Sequence, residues 1–333
     1  MCKAIDLFAG IGGIRLGFEQ VFENLETVFI SEIDKNAQRT YKENFNISID
    51  IDGDITQIDE CRIPSFDICL AGFPCQSFSM AGKRKGFDDD YHGICRGTLF
   101  LDVARICEYH KPKVIFCENV KGLVNHDKGK TLNIILSTFE KIGYNVYYKV
   151  LNSKDFGVPQ NRERIYIVAF RKDINSTTFC FPNPTNKNVK LENIIEKEKP
   201  HNKYWLSQQY VDTLKKHKLR HQTKGNGFGY QIRELDDIAG AVVCGGMGRE
   251  KNLIIDKRLI DFSPVGNRKT PANDEYIRTL TPREWARLQG FPENYKLNRA
   301  DTILYKQLGN SVSIPVIKEI AKEIKKVLQN NII

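Results

Sequence analysis

Short apolar runs alternate with amphipathic segments over the first 170 residues of the chain. In the amphipathic segments, apolar residues recur at i, i+3 and i+4, which is the spacing of helices with one buried face. The predicted strands are 4–8, 27–30, 67–72, 113–119, 144–151 and 164–170, and the predicted helices are 13–23, 35–44, 98–110 and 130–142. This alternation predicts an α/β fold with a doubly wound, mostly parallel sheet that is covered on both faces.

The pattern changes near residue 172, where regular strands and helices give way to an Asn- and Lys-rich segment with glycine clusters at 225–230 and 244–250. We interpret this segment as a second, smaller, irregular domain. The predicted division is 1–171 with 276–333 for the first domain and 172–275 for the second.

Helical patterning resumes after Thr281, which is suited to be an N-cap. Pro282 fits the first helical position, and Glu284 completes a capping box. The apolar spacing of 314–328 predicts a last helix that returns to the first domain.

Composition, charge and cysteine spacing indicate the kind of partner and the cell compartment of the protein. The 333 residues are 41% hydrophobic and carry a formal charge of +9, which favours a polyanionic partner such as nucleic acid. The nine cysteines include no C-x-x-C pair, which argues against a zinc site or a disulfide framework and for a reducing compartment. With no signal peptide and no apolar run near the roughly 18 residues of a membrane span, we expect a cytoplasmic protein without metal or membrane contact.

A ligand site is predicted at the carboxyl edge of the sheet. The stretch "DLFAGIGG" (6–13) joins the first strand to a helix, and its glycines let a ligand approach the backbone. It is not the G-x-G-x-x-G pattern of dinucleotide sites, and a plain tight turn is the alternative. Glu32 follows the second strand and suits a pair of ribose hydroxyls, whereas Asp54 follows the third and suits an adenine amino group. Each carboxylate alone is typical of a solvated loop, but together they favour a nucleoside ligand.

Cys75 follows the strand 67–72 at the same edge. The polar stretch after it contains Lys83, Arg84 and Lys85, which would favour a thiolate of low pKa. These cations would equally suit a solvated loop or a phosphate backbone.

Glu118 ends the strand 113–119, where partial burial would raise the pKa of its carboxyl, as a proton donor requires. Arg162 and Arg164 are two apart on one strand and so share a face. They suit an anionic or carbonyl-bearing ligand, with an ion pair to Glu163 or another carboxylate as the alternative.

In this order, these stretches resemble the C5-type cytosine DNA methyltransferases, most closely the small prokaryotic enzymes of restriction–modification systems. The matching stretches are "DLFAGIGG", Glu32, "GDIT" with Asp54, "GFPCQSFS", "ENV", "PQNRERIYIV", "RTLTPREWARLQGFP" and "QLGNSVSIP". They cover residues 1–171 and 276–328. The resemblance implies a Rossmann-like methyltransferase domain that uses S-adenosyl-L-methionine, releases S-adenosyl-L-homocysteine and needs no metal.

The resemblance also implies catalytic roles. Cys75 would attack C6 of a cytosine flipped out of duplex DNA, and Glu118 would bind the base at N3 and the exocyclic amine and donate a proton. Arg164 would contact the base O2, and Arg162 the adjacent phosphate. The methyl group would pass to C5 before Cys75 is eliminated.

For the cofactor, the resemblance places Phe8 against the adenine, Glu32 on the ribose and Asp54 on the amino group. Ile33 stands where the family usually has a tryptophan or a similar ring. The expected cofactor-binding residues are Phe8, Ala9, Gly10, Ile11, Gly12, Gly13, Glu32, Ile33, Asp54, Ile55, Pro74, Leu99, Asn310, Ser311 and Val312.

DNA contacts are expected from the stretch after Cys75 and from the two glycine clusters of the second domain, which we interpret as recognition loops. "GAVV" (240–243) stands where bacterial members of the family carry a Thr-Leu or Thr-Val pair. Arginines in these loops favour a GC-rich site, with contacts to phosphate alone as the alternative. The expected DNA-binding residues are Gln76, Ser79, Lys83, Arg84, Lys85, Arg233, Arg249 and Lys251. We expect a monomer, with a companion restriction endonuclease acting on the same site.

Three other functions are weighed against this one. A transfer-RNA methyltransferase of the same family would carry a Cys-Phe-Thr stretch, which the chain lacks. A catalytically inactive DNA-binding homologue would have lost Cys75 or Glu118, and both are present. A Rossmann-type oxidoreductase with a reactive cysteine is disfavoured by the glycine pattern.

Overall fold

The computed structural model describes residues 2–74, 90–91, 94–95, 99–185 and 187–331. The strands are β1 (Cys2–Leu7), β2 (Leu25–Ser31), β3 (Ile68–Ala71), β4 (Asp90–Tyr91), β5 (Ile94–Cys95), β6 (Val114–Val120), β7 (Tyr144–Asn152), β8 (Gln160–Asn161), β9 (Glu163–Arg171), β10 (Ala239–Gly240), β11 (Leu253–Ile255) and β12 (Ile277–Thr279). The helices are α1 (Gly13–Glu19), α2 (Lys35–Asn44), α3 (Leu99–His110), α4 (Lys130–Lys141), α5 (Gln208–Gln222), α6 (Pro282–Gln289), α7 (Asp301–Asn310) and α8 (Ile314–Asn330).

The main sheet has six strands in the order β2-β1-β3-β6-β9-β7. β1 pairs in parallel with β2 and with β3, and β3 pairs in parallel with β6. Only β9 runs antiparallel to its neighbours, β6 and β7. The central strands are buried along almost their whole length, which is why they read as continuous apolar runs. The predicted α/β fold with a mostly parallel sheet is confirmed.

One strand implied by the sequence does not form. The segment before Asp54 makes only an isolated parallel bridge, between Asp52 and Ser31. The Asp52 N–H donates to the Ile30 carbonyl at 2.9 Å, and the Asp52 carbonyl accepts from the Glu32 N–H at 2.8 Å. Isoleucines alternate with polar residues here, as in a half-buried strand, but Gly53 follows at once and has no side chain to pack, which weakens a strand.

The chain forms two compact units. The first comprises residues 1–152, 163–184 and 312–333, and the second comprises 153–162 and 185–311. The first unit contains the six-stranded sheet, with α8 packed against α1 so closely that a Cβ on Gly17 would lie 2.5 Å from the Ile317 side chain. No helix in the described part of the chain combines the length and the apolar character that a membrane crossing requires.

The second unit extends beyond the predicted range 172–275, because the short strand β8 pairs with β10 and the segment around α6 and α7 packs with it. Its core includes the buried Trp205 and Trp285. The predicted capping box is present: the Thr281 hydroxyl accepts from the Glu284 N–H at 3.1 Å, and the Thr281 N–H donates to the Glu284 carboxylate at 2.8 Å. Helices α5 and α7 were not predicted from the pattern.

Candidate active site

The turn after β1 is held in left-handed backbone conformations. Phe8 and Gly10 both have φ near 55°, and Gly12 has φ 80°. The Gly12 N–H donates to the Ala9 carbonyl at 2.8 Å, and a Cβ on Gly12 would lie 2.2 Å from the Phe45 ring, so this position requires glycine. At Gly10, by contrast, the nearest atom to an added Cβ is the Phe8 carbonyl at 4.0 Å. The backbone there is open to a close-fitting ligand.

Glu32 is bound directly to this turn. Its Oε2 accepts from the Gly10 N–H and its Oε1 from the Asp34 N–H, each at 2.7 Å. Burial raises the pKa of the Glu32 carboxyl, and these backbone N–H groups partly offset that rise. Each carboxylate oxygen can accept a second hydrogen bond, so the group retains capacity for a hydroxyl donor.

Asp54 lies on the neighbouring loop of the same sheet edge. It caps the short 3₁₀ turn Ile55–Gln57, and its Oδ1 accepts from the Thr56 N–H at 3.0 Å and from the Thr56 hydroxyl at 2.8 Å. The Ser31 hydroxyl, at the end of β2, donates to the Gly53 carbonyl at 3.0 Å. The structure therefore brings the loops of Glu32 and Asp54 together, although the segment before Asp54 forms only an isolated bridge and not the implied strand.

The other expected cofactor residues occupy different environments. The Ile33 side chain is 57% exposed beside Glu32, and Leu99 begins α3 within the core. Pro74 is half-buried at the end of the described segment after β3. Asn310 and Ser311 belong to the second unit and Val312 to the first. The buried members are Ala9, Ile11, Gly12, Gly13, Ile55, Leu99, Ser311 and Val312.

A buried polar chain beneath the glycine turn was missed by the sequence analysis. The Tyr41 hydroxyl donates to Asp6 Oδ2 at 2.9 Å and accepts from Arg15 Nη1 at 3.1 Å. The Arg15 Nε donates to Glu19 at 2.6 Å, and its guanidinium lies 4.4 Å from the centre of the Phe45 ring. A carboxylate inside the apolar strand "AIDLF" was the available sign, because such a group needs a buried partner. This chain ties α1 and α2 to β1.

We predict that this chain makes stability depend on pH. Burial raises the pKa of Asp6 from its usual 3.8 to about 7. Between these values the folded protein holds a proton on Asp6 that the unfolded chain has released, so the contribution of Asp6 to the free energy of unfolding falls as pH rises from 4 to 7 and then levels off. In Asp6→Asn this fall is expected to shrink by an amount on the order of 4 kcal/mol. Urea titrations at several pH values between 4 and 7 measure the free energy of unfolding of the wild type and of the variant.

The exposed Asp50 provides the control, because Asp50→Asn is expected to keep the wild-type slope. If Asp6→Asn and Asp50→Asn show the same pH dependence, the assignment of a raised pKa to Asp6 is wrong.

Glu118 and Arg164 form an ion pair on one face of the sheet. Arg164 Nε lies 3.2 Å from Glu118 Oε1, and their side chains are only 13% and 11% exposed. The antiparallel register places Arg164 opposite Val120, two residues from Glu118, so the pair is diagonal across β6 and β9. Arg164 Nη1 also donates to the Glu163 carbonyl at 2.8 Å. The sequence left open whether Arg164 pairs with Glu163 or with another carboxylate. In the structure Arg164 pairs with Glu118, and Glu163 pairs with Lys121 at 2.9 Å.

Asn119 fixes the chain that leads to the predicted nucleophile. It is buried, and its side-chain Nδ2 donates to the Phe73 carbonyl at 3.3 Å, while its Oδ1 accepts from the Val120 N–H at 2.8 Å. Phe73 is two residues before Cys75, so the end of β6 sets the direction in which the chain leaves β3. Cys75 itself lies outside the described residues, as do Gln76, Ser79, Lys83, Arg84 and Lys85.

Four of the described cysteines, Cys2, Cys61, Cys69 and Cys117, have surroundings that raise the pKa of the thiol. Cys69, Cys107 and Cys117 are buried in the core, and burial raises the pKa of Cys69 and Cys117 well above the usual range. Burial likewise raises the pKa of Cys2 to about 11. The exposed Cys61 has its pKa raised by a hydrogen bond to the Asp59 carboxylate. High pKa values disfavour the thiolate, which is the reactive form.

Arg162 is buried in the second unit, away from the arrangement expected for an exposed phosphate ligand. Its guanidinium donates to the carbonyls of Val242 at 2.5 Å, Gly309 at 3.3 Å and Ser311 at 2.5 Å. Gln160 binds the same segment, accepting from the Val242 N–H at 2.9 Å. These bonds join "PQNR", "GAVV" and "QLGNS" within one unit. A contact of Arg162 with phosphate stays a prediction.

The predicted base-reading residues differ in how far their side chains are exposed to solvent. Arg249 is exposed, with its guanidinium 5.3 Å from the centre of the Tyr305 ring. Lys251 is also exposed, with its ammonium 5.6 Å from the centre of the Phe228 ring. Arg233 is half-buried and donates to the Lys251 carbonyl at 3.3 Å. Within the described residues, no three His, Cys, Asp or Glu side chains are grouped to hold a metal ion.

A family model described as C-5 cytosine-specific DNA methylase matches residues 2–326. The chain belongs to the C-5 cytosine-specific DNA methylase family. The resemblance seen in the sequence is thereby confirmed, and the chain is an enzyme of the DNA cytosine-C5 methyltransferase class.

Relatives support the same family. The Type II methyltransferase M.HpaII of Haemophilus parainfluenzae is 53% identical over 332 residues, which are 98% of this chain and 90% of that protein. M.HhaI of Haemophilus parahaemolyticus is 40% identical over 97% of this chain and 94% of its own length. The crystal structure of S. pombe Dnmt2 methyltransferase aligns with TM-score 0.73 at 18% identity, covering 100% of both chains, and a putative prophage DNA modification methyltransferase from E. coli has TM-score 0.67. These structures show the shared fold.

Proposed function

We propose that this enzyme methylates C5 of a cytosine flipped out of a specific duplex DNA sequence, through a covalent bond between Cys75 and C6. The Glu118–Arg164 pair carries this proposal, because it places a carboxyl and a guanidinium on one face of the sheet, at the edge where the chain leads on to Cys75. We further propose that it protects host DNA in a restriction–modification system, as the names of its relatives suggest.

The residues divide the chemistry between them. Addition of the Cys75 sulfur to C6 shifts the C5–C6 electron pair toward C5, and a proton passes from Glu118 to N3. The ring then reacts as an enamine at C5, which accepts the methyl group. A water molecule takes the C5 proton, which returns an electron pair to the ring and expels the sulfur as thiolate, and the N3 proton goes back to Glu118. Arg164 would hold the Glu118 carboxyl in position and donate to the base O2.

The residues at the sheet edge fit S-adenosyl-L-methionine, which supplies an electrophilic methyl group when bound. Glu32 keeps acceptor capacity for ribose hydroxyls, the backbone at Gly10 is open, and the exposed Ile33 side chain offers an apolar face. Phe8 and Asp54 complete the set that would hold the nucleoside. Asn310, Ser311 and Val312 remain predicted contributors.

We expect the purified protein to transfer labelled methyl groups from S-adenosylmethionine to duplex DNA and not to transfer RNA. Glu118→Gln is expected to slow single-turnover transfer by ~10²–10⁴-fold, because the amide cannot donate the N3 proton. Binding of the cofactor should change little, since glutamine keeps the size and shape of the side chain. Bisulfite sequencing of the product identifies the methylated cytosine. Methylation of transfer RNA alone, or none at all, would overturn the proposal.

A further inference from the structure

The buried polar chain beneath the glycine turn has more carboxylates than cations. Asp6, Arg15 and Tyr41 are buried, and the Tyr41 hydroxyl joins Asp6 Oδ2 to the Arg15 guanidinium. Arg15 makes its direct ion pair with Glu19, at 2.6 Å. A single cation is therefore shared between two carboxylates, and it reaches Asp6 through the Tyr41 hydroxyl.

The glycine turn lies directly against this chain. A Cβ on Gly12 would lie 2.2 Å from the Phe45 ring and 3.0 Å from Cε2 of Tyr41, so the backbone of the turn touches the ring whose hydroxyl binds Asp6. At Gly10 the backbone N–H donates to a further carboxylate, that of Glu32, at 2.7 Å. A charge bound at the turn would therefore lie close to several carboxylates.

The titratable groups that act electrostatically on Asp6 belong to four elements or loops. They are Arg15 and Glu19 of α1, Tyr41 of α2, Glu32 after β2 and Cys69 of β3. Burial raises the pKa of Tyr41 and of Cys69 well above their usual ranges, which keeps both groups neutral. When the three carboxylates are ionised, they face one guanidinium. Ionised Asp6 thus adds a negative charge in a buried position, where water screens it little.

We propose that ionised Asp6 makes the glycine turn bind S-adenosylmethionine in preference to S-adenosylhomocysteine. The two molecules differ by one methyl group and by the positive charge that this group gives to the sulfur. That sulfur is bonded to C5′ of the ribose, which Glu32 would hold, so its charge would arrive at the turn above Asp6. Attraction to the buried negative charge then favours the sulfonium form alone.

This inference rests on the proposed function, and it assigns to Asp6 the selection of methyl donor over spent product. Asp6 acts through the field of its charge and without contact with either molecule. Because methyl transfer removes the positive charge from the sulfur, the same field ceases to hold the product once the transfer is complete. Asp6 would therefore assist exchange of the product for a new donor.

The test compares the binding of the two molecules without turnover. Calorimetry measures the dissociation constants of S-adenosylmethionine and S-adenosylhomocysteine at pH 6 and pH 8. The proteins are the wild type, Asp6→Asn, and Asp50→Asn, which removes the same charge from an exposed position. The amino groups of the free ligands titrate in the same way with every protein, so their effect cancels in the comparison.

The measured quantity is the ratio of the dissociation constant for S-adenosylhomocysteine to that for S-adenosylmethionine. At pH 8, above the pKa of about 7 for Asp6, this ratio is expected to be about 5-fold lower in Asp6→Asn than in the wild type. At pH 6, where Asp6 holds its proton, the two ratios should be nearly equal. Asp50→Asn should keep the wild-type ratio at both pH values.

Glu19→Gln provides a second variant whose changed side chain is partly exposed. It releases Arg15 from its direct ion pair, so the guanidinium can balance ionised Asp6. The ratio at pH 8 is therefore expected to fall in this variant as well. Thermal unfolding checks that each variant is folded.

A purely structural role of Asp6 would weaken the binding of both molecules equally and leave the ratio unchanged. That result, or an equal change in Asp50→Asn, would overturn the inference. A wild type that binds both molecules and methylates DNA, with one ratio shared by all variants, contradicts the role of Asp6 alone. A wild type that binds neither molecule contradicts the proposed function together with this inference.

Discussion

Serine in place of Cys75 is expected to abolish methyl transfer, reducing the single-turnover rate by at least ~10³-fold. A thiol with an ordinary pKa is already partly thiolate at neutral pH, whereas a serine hydroxyl is not, and no histidine near Cys75 in the sequence would activate it. Binding of DNA and of S-adenosylmethionine should be retained, because the substitution removes no charge or volume that either ligand needs.

The experiment pairs turnover with a trapping assay. Duplex DNA carrying 5-fluorocytosine should form a denaturation-resistant adduct with the wild type, because fluorine at C5 blocks the elimination step, and none with Cys75→Ser. Cys61→Ser is the matched control, since Cys61 is exposed and its pKa is raised by Asp59. Full turnover by Cys75→Ser, or loss of the adduct in Cys61→Ser, would show that the nucleophile is assigned wrongly.

Replacing Arg278 by methionine is expected to lower the free energy of unfolding of the second unit by ~3–5 kcal/mol. Arg278 is fully buried and binds Glu284 through two bonds, at 2.8 and 2.9 Å, and Asp256 at 2.7 Å. Methionine fills much of the same volume but leaves the Glu284 carboxylate buried without its cation. Burial acts to raise the pKa of Asp256, and hydrogen bonds from Arg258 and Arg278 outweigh it and bring the pKa to about 2.

Urea unfolding monitored by tryptophan fluorescence measures this effect, since both tryptophans of the chain, Trp205 and Trp285, are buried in the second unit. The control is Lys215→Met, which breaks an exposed ion pair with Glu275 and is expected to cost far less, because solvent screens an exposed pair. Equal losses in the two variants would contradict the view that the buried pair holds this unit together.

Sequence patterning predicted much of the first unit and part of the site. The alternating apolar runs gave the strands and helices of the sheet, because a parallel sheet buries whole strands and leaves an unbroken apolar run. The Thr281–Glu284 capping box was also readable, since its bonds join residues three apart. The loops of Gly10 and Glu32 converge because adjacent parallel strands end at one edge, whereas only an isolated bridge between Ser31 and Asp52 brings in the loop of Asp54. Helix α5 was not predicted, because its buried face contains only Val211 and Leu214 and so gives little apolar periodicity.

The sequence by itself determined the family, the fold class and the order of the chemical groups along the sheet edge, because these depend on local spacing and on the alternation of strands with helices. Only the tertiary structure decided which side chains bind one another. Only the folded chain shows that Asp6 binds Tyr41, that Arg164 pairs with Glu118 and that Arg162 donates to three carbonyls in the second unit. Such bonds join residues far apart in the chain, where spacing carries no signal, and burial then fixes the charge and role of each group.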